Sequence, residues 1–203
     1  MKRVSAVVLA AGRSTRMGEA KQLLRIDEQK MLERTIENVS ASRVEEAVLV
    51  LGFEAESIRR ELPAALLDGV KIVVNENHQS GMASSLREGL AAVNLESDAA
   101  LIVLADQPLV RPETMNEIVE RFCGADAEIV IPHYQGSRGN PVLLGRSVFA
   151  EAMALEGDVG CRSIFAQHTK GILRVDVDDP GILADIDSRE DYERLFRTQA
   201  KNA

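Results

Sequence analysis

The chain has 203 residues, 45% hydrophobic and 28% charged, enough for a large buried core without covalent staples. Its 24 Lys and Arg against 32 Asp and Glu leave a net charge of −8, which excludes general nucleic-acid binding through a positive field, and aromatics at 3% exclude a base-stacking platform. No apolar run is long enough to cross a membrane, no secretion signal opens the sequence, and Cys123 and Cys161 form no metal knuckle, so a cytoplasmic location, one domain over 1–203 and a monomer or weak oligomer are expected.

Residues 4–9 (VSAVVL) read as a buried strand. It ends in small residues, Ala10, Ala11 and Gly12, and then in the cations Arg13, Arg16 and Lys21. Residues 31–42 place Leu32, Ile36 and Val39 at helical spacing. Residues 46–51 are a second strand, closed by Gly52, and 54–61 a short helix that Pro63 helps to end. A third strand, 70–74, runs into Asn75 and on to Ser80-Gly81-Met82, where a helix over 82–93 begins. A fourth, 99–104, ends at Ala105-Asp106-Gln107-Pro108, and Pro112 suits the first position of a helix over 112–122. Residues 128–132 are a fifth strand. After the turn-rich stretch 133–141, a short strand at 142–144 returns beside it. Helices at 146–155 and 162–169, a strand at 172–177 and a polar helix from the cap Ser188 to about Arg197 complete the chain.

Strands alternating with helices at this spacing indicate an α/β fold with a mostly parallel sheet. The excursion at 133–141 adds one antiparallel strand, so the sheet is mixed. Ligands of such sheets bind at the carboxyl ends of the strands. The ends after Leu9, Val74 and Leu104 carry the unusual small or polar residues and should converge on one edge.

The loop after Leu9 lacks a Gly-Lys-Ser/Thr ending and a GxGxxG spacing, so it is neither a Walker A loop nor a dinucleotide fingerprint. It reads as a triphosphate loop: the Ala11 and Gly12 amides approach base and phosphates, and Arg16 and Lys21 offset phosphate charge. Asp106 follows a buried strand and is either a turn carboxylate or a Mg²⁺ ligand; the ion is usually held by one or two carboxylates plus phosphates and water. Asp187 lies in an acidic run with Asp176, Asp178, Asp179 and Asp185, and stands between a second metal ligand and a solvated edge. Ser80-Gly81-Met82 opens a helix, so it is either an ordinary cap or a source of free amides for an anion. Asn75 could hydrogen-bond a base edge. His78, His133 and His168 do not cluster, although an acceptor contact for His133 is open. No serine or cysteine nucleophile motif is present.

Leu9-Ala10-Ala11-Gly12-Arg13-Ser14-Thr15-Arg16-Met17-Gly18-Glu19-Ala20-Lys21 resembles the signature of the MobA-like nucleotidyltransferases, and within them the cytidylyltransferase branch that acts on the molybdenum cofactor. Asn75 to Leu86 is similar to that family's base-side segment, and Ala105-Asp106-Gln107-Pro108 to its metal-binding strand end. Arg138-Gly139-Asn140-Pro141-Val142 and Gly157-Asp158-Val159-Gly160-Cys161-Arg162 resemble its acceptor-side segments. Asp185-Ile186-Asp187, followed by Glu190-Asp191-Tyr192, resembles its acidic C-terminal motif.

The resemblance implies a three-layer Rossmann-like nucleotidyltransferase fold with helices on both faces. It implies Mg²⁺-dependent transfer of CMP from CTP to the phosphate of molybdopterin, with release of pyrophosphate and a transient contact with a molybdoenzyme. Arg16, Lys21 and Asp106 are the expected catalytic residues. Leu9, Ala10, Ala11, Gly12, Arg13, Arg16, Lys21, Asn75, Ser80, Gly81, Met82 and Asp106 should bind the nucleotide, and Asp106 and Asp187 the metal. Ala11 stands where the guanylyl branch has glycine, and its methyl favours a pyrimidine. Asn140 stands where the branch often has His, and Ser188-Arg189 where Thr-Pro is usual. Another phosphorylated acceptor, or a non-catalytic cofactor-delivery role, is therefore kept as an alternative.

Overall fold

The computed structural model describes residues 2–13 and 20–196. The strands are β1 (Val4–Leu9), β2 (Arg25–Ile26), β3 (Gln29–Lys30), β4 (Glu46–Leu51), β5 (Val70–Val74), β6 (Ala99–Leu104), β7 (Ile129–Tyr134), β8 (Ser137–Arg138), β9 (Val142–Gly145) and β10 (Ile172–Asp176). The α-helices are α1 (Met31–Ser40), α2 (Ala55–Glu61), α3 (Met82–Ala92), α4 (Pro112–Cys123), α5 (Phe149–Met153) and α6 (Arg189–Phe196).

Eight strands form one sheet in the order β10-β7-β9-β6-β1-β4-β5, with β8 on β7. The pairings are parallel except those of β9 with β6 and β7, and of β8 with β7. The sheet is thus mixed, and the excursion is the hairpin β7–β8, turned at Gln135 and Gly136, which both have positive φ. The chain runs from β1 outward through β4 and β5, then crosses to β6 on the other side of β1. The crevice between β1 and β6 is therefore the topological switch point, where open α/β sheets bind ligands.

Strand residues alternate between two apolar layers. Val4, Ala6 and Val8 of β1, with Leu101 and Val103 of β6, pack with Leu32 and Ile36 of α1, Ile58 of α2 and Met115, Ile118 and Phe122 of α4. Val7, Val48, Val50 and Ile102 face the opposite layer, with Leu86 and Leu90 of α3 and Phe149 of α5. Helices on both faces of the sheet make the three layers that the alternation of strands and helices implies. Each such buried aliphatic side chain contributes about 1.5–3 kcal/mol by leaving water. Gly89 lets α3 approach the sheet closely, since a Cβ there would overlap Val7 and crowd Val50.

Pro112 opens α4, as its rigid φ favours. Its cap comes from far along the chain: the buried Asp179 carboxylate accepts from the Arg111 N–H at 3.0 Å, the Thr114 hydroxyl at 2.6 Å and the Gly181 N–H at 2.9 Å. Ser188 and Asp191 cap α6 reciprocally: Ser188 Oγ accepts from the Asp191 N–H at 3.1 Å, and the Asp191 carboxylate accepts from the Ser188 N–H at 3.0 Å.

Some expected elements are shorter. The helix over 146–155 is a 3-10 turn at Arg146–Val148 followed by α5, and that over 162–169 is a 3-10 segment, Cys161–Gln167. The β2–β3 hairpin has no counterpart in the sequence reading. It matters because Ile26, Met31 and Ile186 form a third apolar cluster with Tyr192, Leu195 and Phe196. Through it α6 docks on the β2–β3 hairpin and the start of α1, and the Tyr192 hydroxyl donates to the Arg25 carbonyl.

Candidate active site

A cavity of about 830 Å³ opens at the carboxyl ends of β1 and β6. Leu9 to Arg13 line one wall, Lys21 and Gln22 the floor, His78 to Met82 another wall, and Ala105, Asp106, Asp185 and Asp187 the far side. The strand ends after Leu9 and Leu104 are joined directly, because the Ala105 N–H donates to the Leu9 carbonyl at 3.1 Å.

The loop after β1 is held from inside. The Ala10 N–H donates to the Val50 carbonyl at 2.9 Å, and Phe53 N–H to the Ala11 carbonyl at 3.3 Å. Buried Gln22 donates through Nε2 to the carbonyls of Ala10 at 2.8 Å and Gly12 at 3.0 Å. One side chain thereby holds two carbonyls of the loop. A Cβ on Gly12 would enter open space, so its lack of a side chain leaves room rather than relieving a clash. The Arg13 guanidinium lies 5.3 Å from the centre of the Phe53 ring, a cation–π contact at the rim, and Phe53 meets His78 edge-on. Arg16 lies outside the described residues.

The charged centre is Lys21. Its Nζ is 2.8 Å from Asp106 Oδ2, 2.9 Å from Asp187 Oδ1 and 3.4 Å from the Ile186 carbonyl. Burial works against the Lys21 charge, but the carboxylates of Asp106 and then Asp187 outweigh it and hold the ammonium above the usual lysine range. Asp185 accepts from Gln107 Nε2 at 2.7 Å; burial, then the Asp106 charge, lifts its carboxyl above the usual range. The Asp106 backbone carbonyl accepts from the Ile186 N–H at 3.0 Å, which brings the C-terminal acidic motif to the end of β6.

Gly81 needs its missing side chain. It has φ of 95°, and a Cβ would overlap the Gly157 carbonyl and the Asp158 nitrogen. The close approach lets Asp158 Oδ1 accept from the Met82 N–H at 3.3 Å and the Gly157 carbonyl from the Ala83 N–H at 3.2 Å. The first amides of α3 are therefore engaged by the chain itself. Ser80, Gly81 and Met82 line the cavity, but Asn75 lies beneath it: Nδ2 donates to Ser84 Oγ at 2.8 Å and Ser85 Oγ at 3.0 Å, and Oδ1 accepts from the Asn77 N–H at 2.9 Å. Asn75 positions this segment and does not face the cavity.

The MobA-like NTP transferase domain matches this sequence over residues 6–172, most of the chain, including the carboxyl ends of β1 and β6 where the cavity opens. The chain belongs to the MobA-like NTP transferase family. It is similar to nicotine blue oxidoreductase of Paenarthrobacter nicotinovorans, 28% identical over 95% of this chain and 96% of that protein. It is also similar to the molybdenum cofactor cytidylyltransferase of Escherichia coli K12, 23% identical over 95% of each. The crystal structure of Rv0371c from Mycobacterium tuberculosis H37Rv matches with a TM-score of 0.82 at 33% identity, over 97% of this chain and 98% of that one. Rv0371c in complex with manganese matches with a TM-score of 0.78 at 31% identity, over 97% and 100% of the two chains. The MobA-like chain is thus a nucleotidyltransferase with a Rossmann-like fold.

The residues of this MobA-like site fit a hard divalent cation. Asp106 Oδ1 is buried with no hydrogen-bond partner among the described residues, an arrangement costly without a ligand. Asp187 adds a half-exposed carboxylate across Lys21. Among the described residues no group of three or more acidic, His or Cys side chains stands ready to enclose a metal. Two carboxylates with a shell completed by phosphates and water is the mode that Mg²⁺ and Mn²⁺ favour.

A second cavity of about 270 Å³ shares the wall Leu9, Met82, Leu104 and Asn140 with the first. Leu86, Ile102, Val142 and Phe165 line it, and Arg138 and Arg162 edge it. Burial and the nearby Arg162 charge lower the Arg138 guanidinium from its ordinary value, a sign that the two cations are close. Cys161 lines this cavity, and burial pushes its thiol up to about 12, far from a reactive thiolate. His133 touches the Ile131 carbonyl through Nδ1 and lines neither cavity.

Sequence reasoning passed over Gln22, Asp158 and Asp185 as functional side chains. Gln22 carries no motif signal, sitting between Lys21 and an apolar pair. Asp185 stood in an acidic run that looks uniform until folding separates it: Asp179 caps α4, Asp185 binds Gln107, and Asp187 reaches Lys21.

Proposed function

We propose that the chain transfers CMP from CTP to the terminal phosphate of molybdopterin, releasing pyrophosphate. The observation that carries this reading is the adjoining pair of cavities, one lined by Leu9 to Arg13, Lys21 and Asp106, the other largely apolar and edged by Arg138 and Arg162. Likeness over nearly its whole length to the E. coli molybdenum cofactor cytidylyltransferase supports the acceptor. The Ala11 methyl packs toward Gly52 and is almost wholly buried, so the pyrimidine rests on the likeness to the cytidylyltransferase.

In this reading the triphosphate lies along the loop, with the Ala11 and Gly12 amides, Arg13, Arg16 and Lys21 sharing its charge. The base end faces Ser80, Gly81 and Met82. The acceptor's body fills the apolar cavity, and Arg138 and Arg162 hold its anion beside the α-phosphate. An acceptor phosphate oxygen attacks the α-phosphorus as the bond to the bridging oxygen of pyrophosphate breaks. The nucleophile is already anionic, so no protein base is needed; the protein's work is to assemble polyanions and stabilise the leaving charge. Asp106 and Asp187 would hold Mg²⁺, which supplies charge neutralisation across the phosphates. The product then passes to a molybdoenzyme in a transient contact, as a cytoplasmic single-domain protein acting as a monomer or weak oligomer.

Pyrophosphate release with CTP, GTP, ATP and UTP, each with Mg²⁺ and molybdopterin, tests the proposal. CTP-selective release that needs molybdopterin is expected. Turnover with GTP in preference to CTP overturns the base assignment. Asn140, which lines both cavities, keeps a second acceptor in view, and release with another phosphorylated acceptor but none with molybdopterin would favour it. Tight molybdopterin binding with no turnover would favour a delivery module.

A further inference from the structure

We propose that Lys21 is a resident counter-ion that occupies the metal position in the free protein, and that its transfer to the triphosphate couples metal binding to nucleotide binding. The inference rests on the reading of Asp106 and Asp187 as the metal carboxylates. Nζ lies between the two, 2.8 Å from Asp106 Oδ2 and 2.9 Å from Asp187 Oδ1. A divalent cation bonded to both of those oxygens at about 2.0–2.1 Å must sit in the space that the ammonium holds. Two cations cannot share it.

The electrostatics make this an exchange rather than a simple vacancy. Lys21 is mostly buried, its side chain 15% exposed, and three carboxylates converge on its surroundings: Asp106, Asp185 and Asp187. Withdrawing the ammonium without a replacement would leave these negative groups without their counter-charge. A metal entering alone must expel Lys21 from its two direct carboxylate partners, Asp106 and Asp187. A triphosphate entering alone finds Lys21 already committed. When both enter together, the metal takes over the carboxylates and the ammonium follows the phosphates, so each ligand removes the obstacle to the other. Such coupling is reciprocal by linkage.

The test is Mn²⁺ binding to the folded protein without nucleotide, followed by electron paramagnetic resonance of the free aqua ion. The variants are wild type, Lys21→Met, Asp106→Asn and the double variant, with circular dichroism as the folding control. Lys21→Met is expected to bind Mn²⁺ alone at least tenfold more tightly than wild type, with the gain lost in the double variant. Equal or weaker Mn²⁺ binding by folded Lys21→Met overturns the counter-ion role. If Lys21→Met gains affinity that Asp106→Asn does not remove, the metal assignment itself has failed. If Lys21→Met does not fold, Lys21→Gln, which keeps a hydrogen-bond donor near the carboxylates, is read by the same criteria.

Discussion

The buried Gln22 side chain donates to the Ala10 carbonyl at 2.8 Å and so fixes the path of the loop after β1 from beneath. The same amide reaches the Gly12 carbonyl, so one residue sets the orientation of two peptide groups. Replacing it with leucine keeps the volume but leaves two carbonyls without this donor, at about 1–3 kcal/mol. Gln22→Leu is expected to raise the dissociation constant for CTP about tenfold, and calorimetric titration reads it. An unchanged constant would show that the loop keeps its shape without Gln22.

Asp106 stands at the end of β6 with one oxygen on Lys21 and the other unpartnered. Asp106→Ala is expected to cut pyrophosphate release by about a hundredfold or more, the scale of losing a key electrostatic group. Circular dichroism should stay native, because the fixing contact to Ile186 uses the backbone. Survival of activity with ordinary Mg²⁺ dependence would rule out the metal role.

Asp179 is a structural carboxylate in the same acidic stretch. It accepts from Arg111, Thr114 and Gly181 while almost wholly buried. Asp179→Ala removes the cap of α4 and strands these donors, and urea unfolding should register a loss of about 2–4 kcal/mol. Turnover per folded molecule should be retained, in contrast to Asp106→Ala.

His168 bridges two carboxylates, with Nδ1 2.9 Å from Glu128 and Nε2 2.8 Å from Glu151. The hydrogen bond to Glu128, then that to Glu151, raises its pKa above the ordinary 6.5. A raised folded-state value stabilises the protein fully below the unfolded pKa, and this stability is lost as pH rises through the folded value. The melting temperature of wild type should therefore exceed that of His168→Gln near pH 5.5 and converge with it towards about pH 8.5. A gap that widens with pH would show that the imidazolium is not what these glutamates hold.

Much of the fold was legible because apolar runs such as Val4–Leu9 and Ala99–Leu104 are buried on both faces and carry β-strand signals in themselves. Pro112 marked the start of α4 for a local steric reason. The β2–β3 hairpin was not legible, since two-residue strands leave no period to detect. At the site, Lys21 stood out as a cation in the loop after β1, and Asp106 as a carboxylate just past the end of β6. Asn75 also stood at a strand end, yet its polar groups are satisfied by Ser84, Ser85 and Asn77, partners that only the helix start brings within reach. Asp179 and Asp187 look alike in sequence and differ only in what the folded chain puts beside them.

The docking of α6 on the β2–β3 hairpin gives the site a place in time. The last strand of the sheet, β10, ends at Asp176, and Asp187 follows eleven positions later, held through Ile186 and Tyr192 against residues near the start of the chain. On the ribosome, the sheet and the loop after β1 are synthesised before this carboxylate emerges. A nascent chain would carry the loop and Asp106 but not yet Asp187, so under the proposed metal role competence arrives only with the segment that follows β10, after the core that supports it can form.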